Sequence, residues 1–134
     1  MNTTELQQGD WVKPVDTIFP TKVLAILDFD EILCRPNDDD KATNYYAICC
    51  EPIPIANELL ELNGFEKVGA YYIIYAGQII VGQKNFSREF YADGRGPDSF
   101  IKIDHLDLNY VHELQHFLRL IGLVDLANNF KINP

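Results

Sequence analysis

The chain has 134 residues and a formal net charge of −9. That length argues for one domain over residues 1–134, with at most a small appendage. Hydrophobic residues make up 47% and charged residues 23%, a balance that lets the chain bury a core. The eleven Lys and Arg are scattered. A basic stripe able to displace phosphate counterions is therefore missing, and direct nucleic-acid binding is disfavoured. The acidic surface favours solubility, and it can also present a negative face to a basic partner.

Cys34, Cys49 and Cys50 are odd in number and two are adjacent, unlike a secreted disulfide framework. They read as buried thiols acting as small hydrophobes. Residues 1–10 show neither the basic nor the apolar stretch of a signal peptide, and no apolar run is long enough to span a bilayer. The expected location is a reducing cytoplasm, away from any membrane.

Residues 9–50 read as short strands. Trp11 to Val15 is interrupted by Pro14, which suits an edge. Thr21 to Leu27 and Glu31 to Cys34 flank a turn-like break at Asp28-Phe29-Asp30, and Tyr45 to Cys50 forms a further strand. Pro36 to Lys41 is a polar loop. Short strands joined by tight turns predict a small β-meander or half-barrel over residues 1–51. Pro52 and Pro54 punctuate the chain before a short helix, Ala56 to Leu62 within Pro54–Gly64, with Asn63-Gly64 as its stop. Phe65 is expected to fold back onto Leu59 or Leu60.

Tyr71 to Ala76 and Ile79 to Val81 are apolar on both alternations and form a hairpin turning at Gly77-Gln78. Arg88 to Tyr91 and Phe100 to Ile103 form a second hairpin around the turn-rich stretch 92–98. A last helix runs from Asp107 or Asn109, either of which can cap it, to Ile121, with Gly122 as its stop. The fold class is therefore α+β. Residues 52–134 supply helix, antiparallel sheet and one C-terminal amphipathic helix packed on that sheet.

His112-Glu113-Leu114-Gln115-His116 spells a zinc-protease motif. Two His one helical turn apart can hold one metal, while the intervening Glu polarises a bound water. A catalytic zinc usually takes a third protein ligand. Here Arg119 and Gly122 stand where the extended pattern needs Gly and His, and Asp125 is the one downstream carboxylate side chain. Only residues 117–134 follow His116, little chain for half of a substrate cleft. At about 100° per residue, Val111, Leu114, Phe117, Leu118 and Ile121 gather on one side. His112, Gln115, His116 and Arg119 gather on the other and read as a solvated or partly covered polar stripe. The preferred assignment has no catalytic residue and no cofactor, with His112, Gln115 and Arg119 as candidate binding residues. The alternative is a zinc-dependent hydrolase with Glu113 as catalytic base and His112 and His116 as ligands.

Asp38-Asp39-Asp40 lacks the spacing of an EF-hand loop and reads as a solvated acidic loop. The cysteines include no CxxC pair. Gly94-Arg95-Gly96 could form an anion-binding nest, but without a phosphate-binding strand and helix around it a hairpin loop is the simpler reading.

Three blocks carry a resemblance: Glu5-Leu6-Gln7-Gln8-Gly9-Asp10, the run Ile53 to Phe65, and Tyr110 to His116. They resemble small proteins common in Bacteroidetes genomes, prophages and phages, whose blocks read LRIGN, IPLTEEWLLKFGF and YVHQLQNLYFALTG. The order, spacing and chain length agree over most of the chain. This chain departs at Gln7, Gln8 and Asp10, where those blocks have Arg, Ile and Asn. It also departs at Glu113 and His116, where they often have Gln and Asn, residues with which a zincin could not work. The resemblance implies an accessory protein of a phage or mobile element and brings no activity or ligand with it. The expected function is a protein-binding or regulatory module with a protein partner, self-association being open. An acidic nucleic-acid mimic is a further alternative.

Overall fold

A computed structural model describes residues 1–36, 41–85, 87–96 and 101–133. The expected acidic loop at Asp38–Asp40, and Pro97, Asp98 and Phe100 of the second hairpin, lie outside the described residues. The fold is α+β, as the patterning predicts, with two five-stranded antiparallel sheets and a few short helices.

The first sheet holds β1 (Trp11–Pro14), β2 (Thr21–Ile26), β3 (Glu31–Pro36), β4 (Thr43–Tyr46) and β5 (Cys50–Glu51) in the order β4-β3-β2-β1-β5. Alternate residues face inward, as a period of two requires. Val12, Val23, Ile32, Cys34 and Cys50 meet Leu6 and Ala47 in one small core. The β2–β3 turn has left-handed backbone at Phe29 (φ 59°) and Asp30 (φ 61°). The expected strand Tyr45 to Cys50 is broken. Ala47–Cys49 form a single 3-10 turn, and β5 then pairs with β1. That turn carries the chain from one edge of the sheet to the other. Cys49 is exposed, contrary to the reading of all three thiols as buried; Cys34 and Cys50 are buried.

The second sheet holds β6 (Glu66–Val68), β7 (Tyr71–Ala76), β8 (Ile79–Lys84), β9 (Glu89–Gly94) and β10 (Lys102–Asp107) in the order β10-β9-β8-β7-β6. The β7–β8 hairpin turns at Gly77-Gln78 as expected, with Ala76 paired to Ile79, and β8 runs on to Lys84, beyond the expected Val81. The second hairpin is longer than expected, because Ala92, Asp93 and Gly94 are strand rather than turn. The Gly94 N–H donates to the Ile101 carbonyl at 2.8 Å and the Arg95 N–H to the Gln78 carbonyl at 2.5 Å. Those two amides are spent on the sheet and form no nest.

Helix α1 spans Asn57–Leu62. Pro54 is not part of it; it forms an isolated antiparallel bridge with Tyr110. The helix ends as the sequence suggests. Gly64 takes φ 92°, the Phe65 N–H bonds the Leu60 carbonyl at 3.0 Å, and the Gly64 N–H bonds the Glu61 carbonyl at 3.1 Å. This is a Schellman closure, and Phe65 joins Leu60 in the core behind it.

Helix α2 (Val111–Leu120) lays Val111, Leu114, Phe117 and Leu118 against Tyr72, Val81, Phe90 and Ala92 of the second sheet. Fully burying each such large side chain contributes roughly 1.5–3 kcal/mol. Gly122 (φ 91°) ends the helix, and a short α3 (Val124–Asn128) follows. Trp11 belongs to the first sheet by backbone, yet its side chain packs into this second core. Among the described residues no helix is long and apolar enough to cross a membrane.

Candidate functional site: the polar face of the His112 helix

The polar stripe of α2 does not face solvent. Gln115 is 0% exposed and His112 7% exposed, while the Arg119 side chain keeps only 14% of its surface. Of the two expectations, a solvated or a partly covered stripe, the covered one describes it, with the His116 side chain keeping 26% of its surface. Over Gln115, His116 and Arg119 the main cover is the segment Gln7–Trp11, which lies more than a hundred positions away in the chain and so leaves no trace in the local periodicity of α2.

Asp10 is the centre of the contact. Its side chain is fully buried, and a buried carboxylate needs donors on both oxygens. Oδ1 accepts from Arg119 Nη1 at 2.6 Å. Oδ2 accepts from the Gln7 N–H at 2.8 Å and lies 2.5 Å from His116 Nε2. Arg119 also donates through Nη1 to Gln7 Oε1 and through Nε to Asn128 Oδ1, both at 3.1 Å. Gly9 makes this approach possible. Its φ is +94°, and a Cβ there would lie 2.9 Å from Arg119 Nη2 and 3.0 Å from Asn128 Oδ1.

Gln115 sits one turn before Arg119 and uses its whole amide. Oε1 accepts the Trp11 N–H at 3.0 Å, while Nε2 donates to the carbonyls of Gly9 at 2.8 Å and Ala127 at 3.0 Å. The Trp11 indole N–H donates to the Phe130 carbonyl at 2.7 Å. Lys22 donates its ammonium to the Asn128 carbonyl and lies 6.0 Å from the centre of the Trp11 ring. Burial, then the Arg119 charge, lowers the Lys22 pKa.

Glu113 has a different task from the one the motif assigns it. Its Oε1 accepts the backbone N–H groups of Asn109 and Tyr110, each at 3.0 Å. These are donors left free at a helix start. The expected caps do not act as such. Asp107 belongs to β10, and Tyr110 occupies the N-cap position. The helix start is pinned further by the Val111 N–H to the Ile53 carbonyl at 2.8 Å and the Ile55 N–H to the Asn109 carbonyl at 3.0 Å.

His112 stacks on Tyr110 (6.0 Å between ring centres, 13° between planes) and meets His116 edge-on at 5.6 Å. Its Nδ1 is buried without a hydrogen-bond partner among the described residues. Burial lowers the His112 pKa; the Asp10 charge opposes this and His116 reinforces it. His112 and Glu113 border a cavity of about 400 Å³ with Met1, Glu5, Pro52 and Tyr110. Among the described residues no three His, Cys, Asp or Glu side chains are grouped to hold a metal ion.

The structure thus brings His112, Gln115, His116 and Arg119 together, as the helix spacing predicts, and turns them inward. Sequence reasoning missed Asp10, Gln7, Gly9 and Asn128. A signal was present: all but Asn128 lie in the first of the three sequence blocks. That block bonds to the third through Gly9–Gln115 and Asp10–His116, and the middle block bonds to the third through Pro54 and Tyr110. Comparison with protein-family models, with curated proteins and with solved structures finds no match for this chain.

Proposed function

We propose that this is a non-enzymatic accessory protein of a phage or mobile element, and that it acts by binding another protein through its N-terminal sheet. The observation that carries the reading is Phe29. It is 92% exposed and sits in left-handed backbone, a conformation unfavourable for a bulky side chain. An aromatic that costs solvation and backbone strain at once is unsuited to a purely structural turn, where Asn or Gly would serve. Val15, Ile18, Phe19, Tyr46 and Ile48 of the same sheet and its connections are also more than half exposed. Covering them with a partner would remove that apolar surface from water.

The resemblance of the three blocks supports the mobile-element setting. The commitments of Glu113 to a helix cap and of His116 to Asp10 weigh against a zinc-dependent hydrolase. Net charge alone speaks for nucleic-acid mimicry. The test is affinity capture by the full chain from a matching host lysate, run beside Phe29→Asn and Ile48→Asp. The reading expects a stoichiometric partner that at least one substitution removes. Absence of any partner, or capture indifferent to both substitutions, would count against it.

A further inference from the structure

We infer that the seam between β4 and the chain leaving β1 at Val15 and Asp16 receives an extended, cationic segment of the partner protein as an added strand. This rests on the protein-binding reading above and gives it a place and a chemistry. β4 and β5 are the two edges of the first sheet, and the Ala47–Cys49 turn joins them directly. A hydrogen bond from the Val15 N–H to the Cys49 carbonyl, 2.8 Å, extends the β1–β5 pairing into that turn and brings Val15 beside the end of β4. Along the rest of β4, no strand among the described residues pairs with the outer side.

The gap is occupied by a cavity of about 350 Å³ lined by Val15, Asp16, Asn44, Tyr45, Tyr46 and Cys49. Its walls come from β4 on one side and from Val15 and Asp16, which follow β1, on the other, with Cys49 of the turn between them. Unpaired strand edges are templates for pairing, and proteins blunt them with charge, proline or extreme shortness. The second sheet does so: edge strand β6 carries Glu66 and Lys67, and edge strand β10 carries Lys102, Asp104 and Asp107. In the first sheet β5 is two residues long. β4, Thr-Asn-Tyr-Tyr, has none of these devices, and three of its four side chains are exposed. Strand addition supplies affinity through main-chain bonds and specificity through pockets for alternate side chains.

Charge selects the occupant. Asp16 lies in the groove and makes no ion pair among the described residues, whereas Lys13 nearby is already paired with Glu51 at 3.6 Å. Asp28, Asp30 and Glu31 add negative charge where the β2–β3 turn meets the end of β4. A second copy of this chain would bring a further −9 charge to the same acidic surface. An extended segment alternating apolar and basic side chains fits both the apolar wall and the acid.

The experiment titrates the isotopically labelled full chain with the capped pentapeptide VRVRV and, separately, VEVEV. We expect saturable amide shifts confined to residues 15–16 and 43–49, with VEVEV at least tenfold weaker. Binding should weaken with added salt. Asp16→Lys and Tyr46→Lys should each weaken VRVRV at least tenfold, with an otherwise unchanged spectrum. Should Tyr46→Lys disturb the fold, Asp16→Asn gives the same readout with a smaller effect. Equal binding of both peptides, shifts elsewhere, no binding, or self-pairing of the chain through β4 would overturn the assignment. If a lysate partner is lost in Phe29→Asn but kept in Asp16→Lys and Tyr46→Lys, the seam assignment falls while the protein-binding reading stands.

Discussion

Gln115 accepts the backbone N–H of Trp11 at 3.0 Å, joining the last long helix to the first strand across nearly the whole chain. No local pattern requires this bond; it exists because the first sheet needs an anchor and the helix has a buried amide to satisfy. Gln115→Leu keeps the volume and removes every bond. The Trp11 N–H and the Gly9 and Ala127 carbonyls then lose their partner. Leaving one buried polar group unmade costs about 1–3 kcal/mol, so a loss near 3 kcal/mol is expected. Denaturant unfolding followed by fluorescence of Trp11, the chain's single tryptophan, measures it. A change within about 0.5 kcal/mol, typical of a surface site, would contradict the clamp.

Glu113 separates the two readings of the His-Glu-x-x-His string. As a cap, Glu113→Ala should cost about 1 kcal/mol, and Glu113→Gln should retain most of that because an amide oxygen can also accept the two N–H groups. Added zinc should not raise the melting temperature of the parent chain or of either variant. A zinc-dependent rise that needs His112 and His116 would support the hydrolase alternative instead.

His112 gives a pH prediction. Burial holds its folded-state pKa below the ordinary 6.5, with Asp10, Glu113 and Glu5 opposing and His116 adding to the depression. Below that ordinary value the unfolded chain takes up a proton that the folded chain resists. Stability from this group is therefore complete above about pH 6.5 and declines as the pH falls from there towards the folded-state pKa. Melting temperatures between about pH 7.5 and about pH 5.5 should fall, and less steeply in His112→Gln. An identical slope in the variant would show that other groups carry the dependence.

Phe29→Asn should stabilise the isolated chain by about 1 kcal/mol, since Asn tolerates the left-handed backbone that Phe adopts at φ 59°. Calorimetry of the two proteins decides it. Destabilisation would mean that the phenyl ring has packing value on its own chain, which would weaken the case for a partner.

Much of the fold was legible because it rests on local chemistry. The Schellman stop at Asn63-Gly64-Phe65, the Gly77-Gln78 turn and the apolar face of α2 all follow from residues within one or two turns. The Asp28-Phe29-Asp30 break is visible in the sequence as a turn, while the left-handed backbone at Phe29 and Asp30 is not. The second face of α2 was not legible. Helical periodicity separates apolar from polar side chains and is silent on whether a distant segment covers the polar ones. A buried Asp10 looks like any surface acid until Arg119 and His116 are seen against it. The Tyr45 to Cys50 strand was overdrawn for a similar reason: an apolar run does not announce the 3-10 turn that carries it to the other sheet edge.

The polar residues of α2 hold the N-terminal sheet through Gly9, Asp10 and Trp11. A double-mutant cycle between Asp10 and Arg119 tests it most directly, using Asp10→Ala, Arg119→Ala and the pair in denaturant unfolding. Their charges meet at 2.6 Å with Asp10 fully buried. The clamp predicts a coupling of about 2 kcal/mol or more, each single change taking from the other buried group its charged partner at 2.6 Å. Additivity within about 0.5 kcal/mol would contradict it.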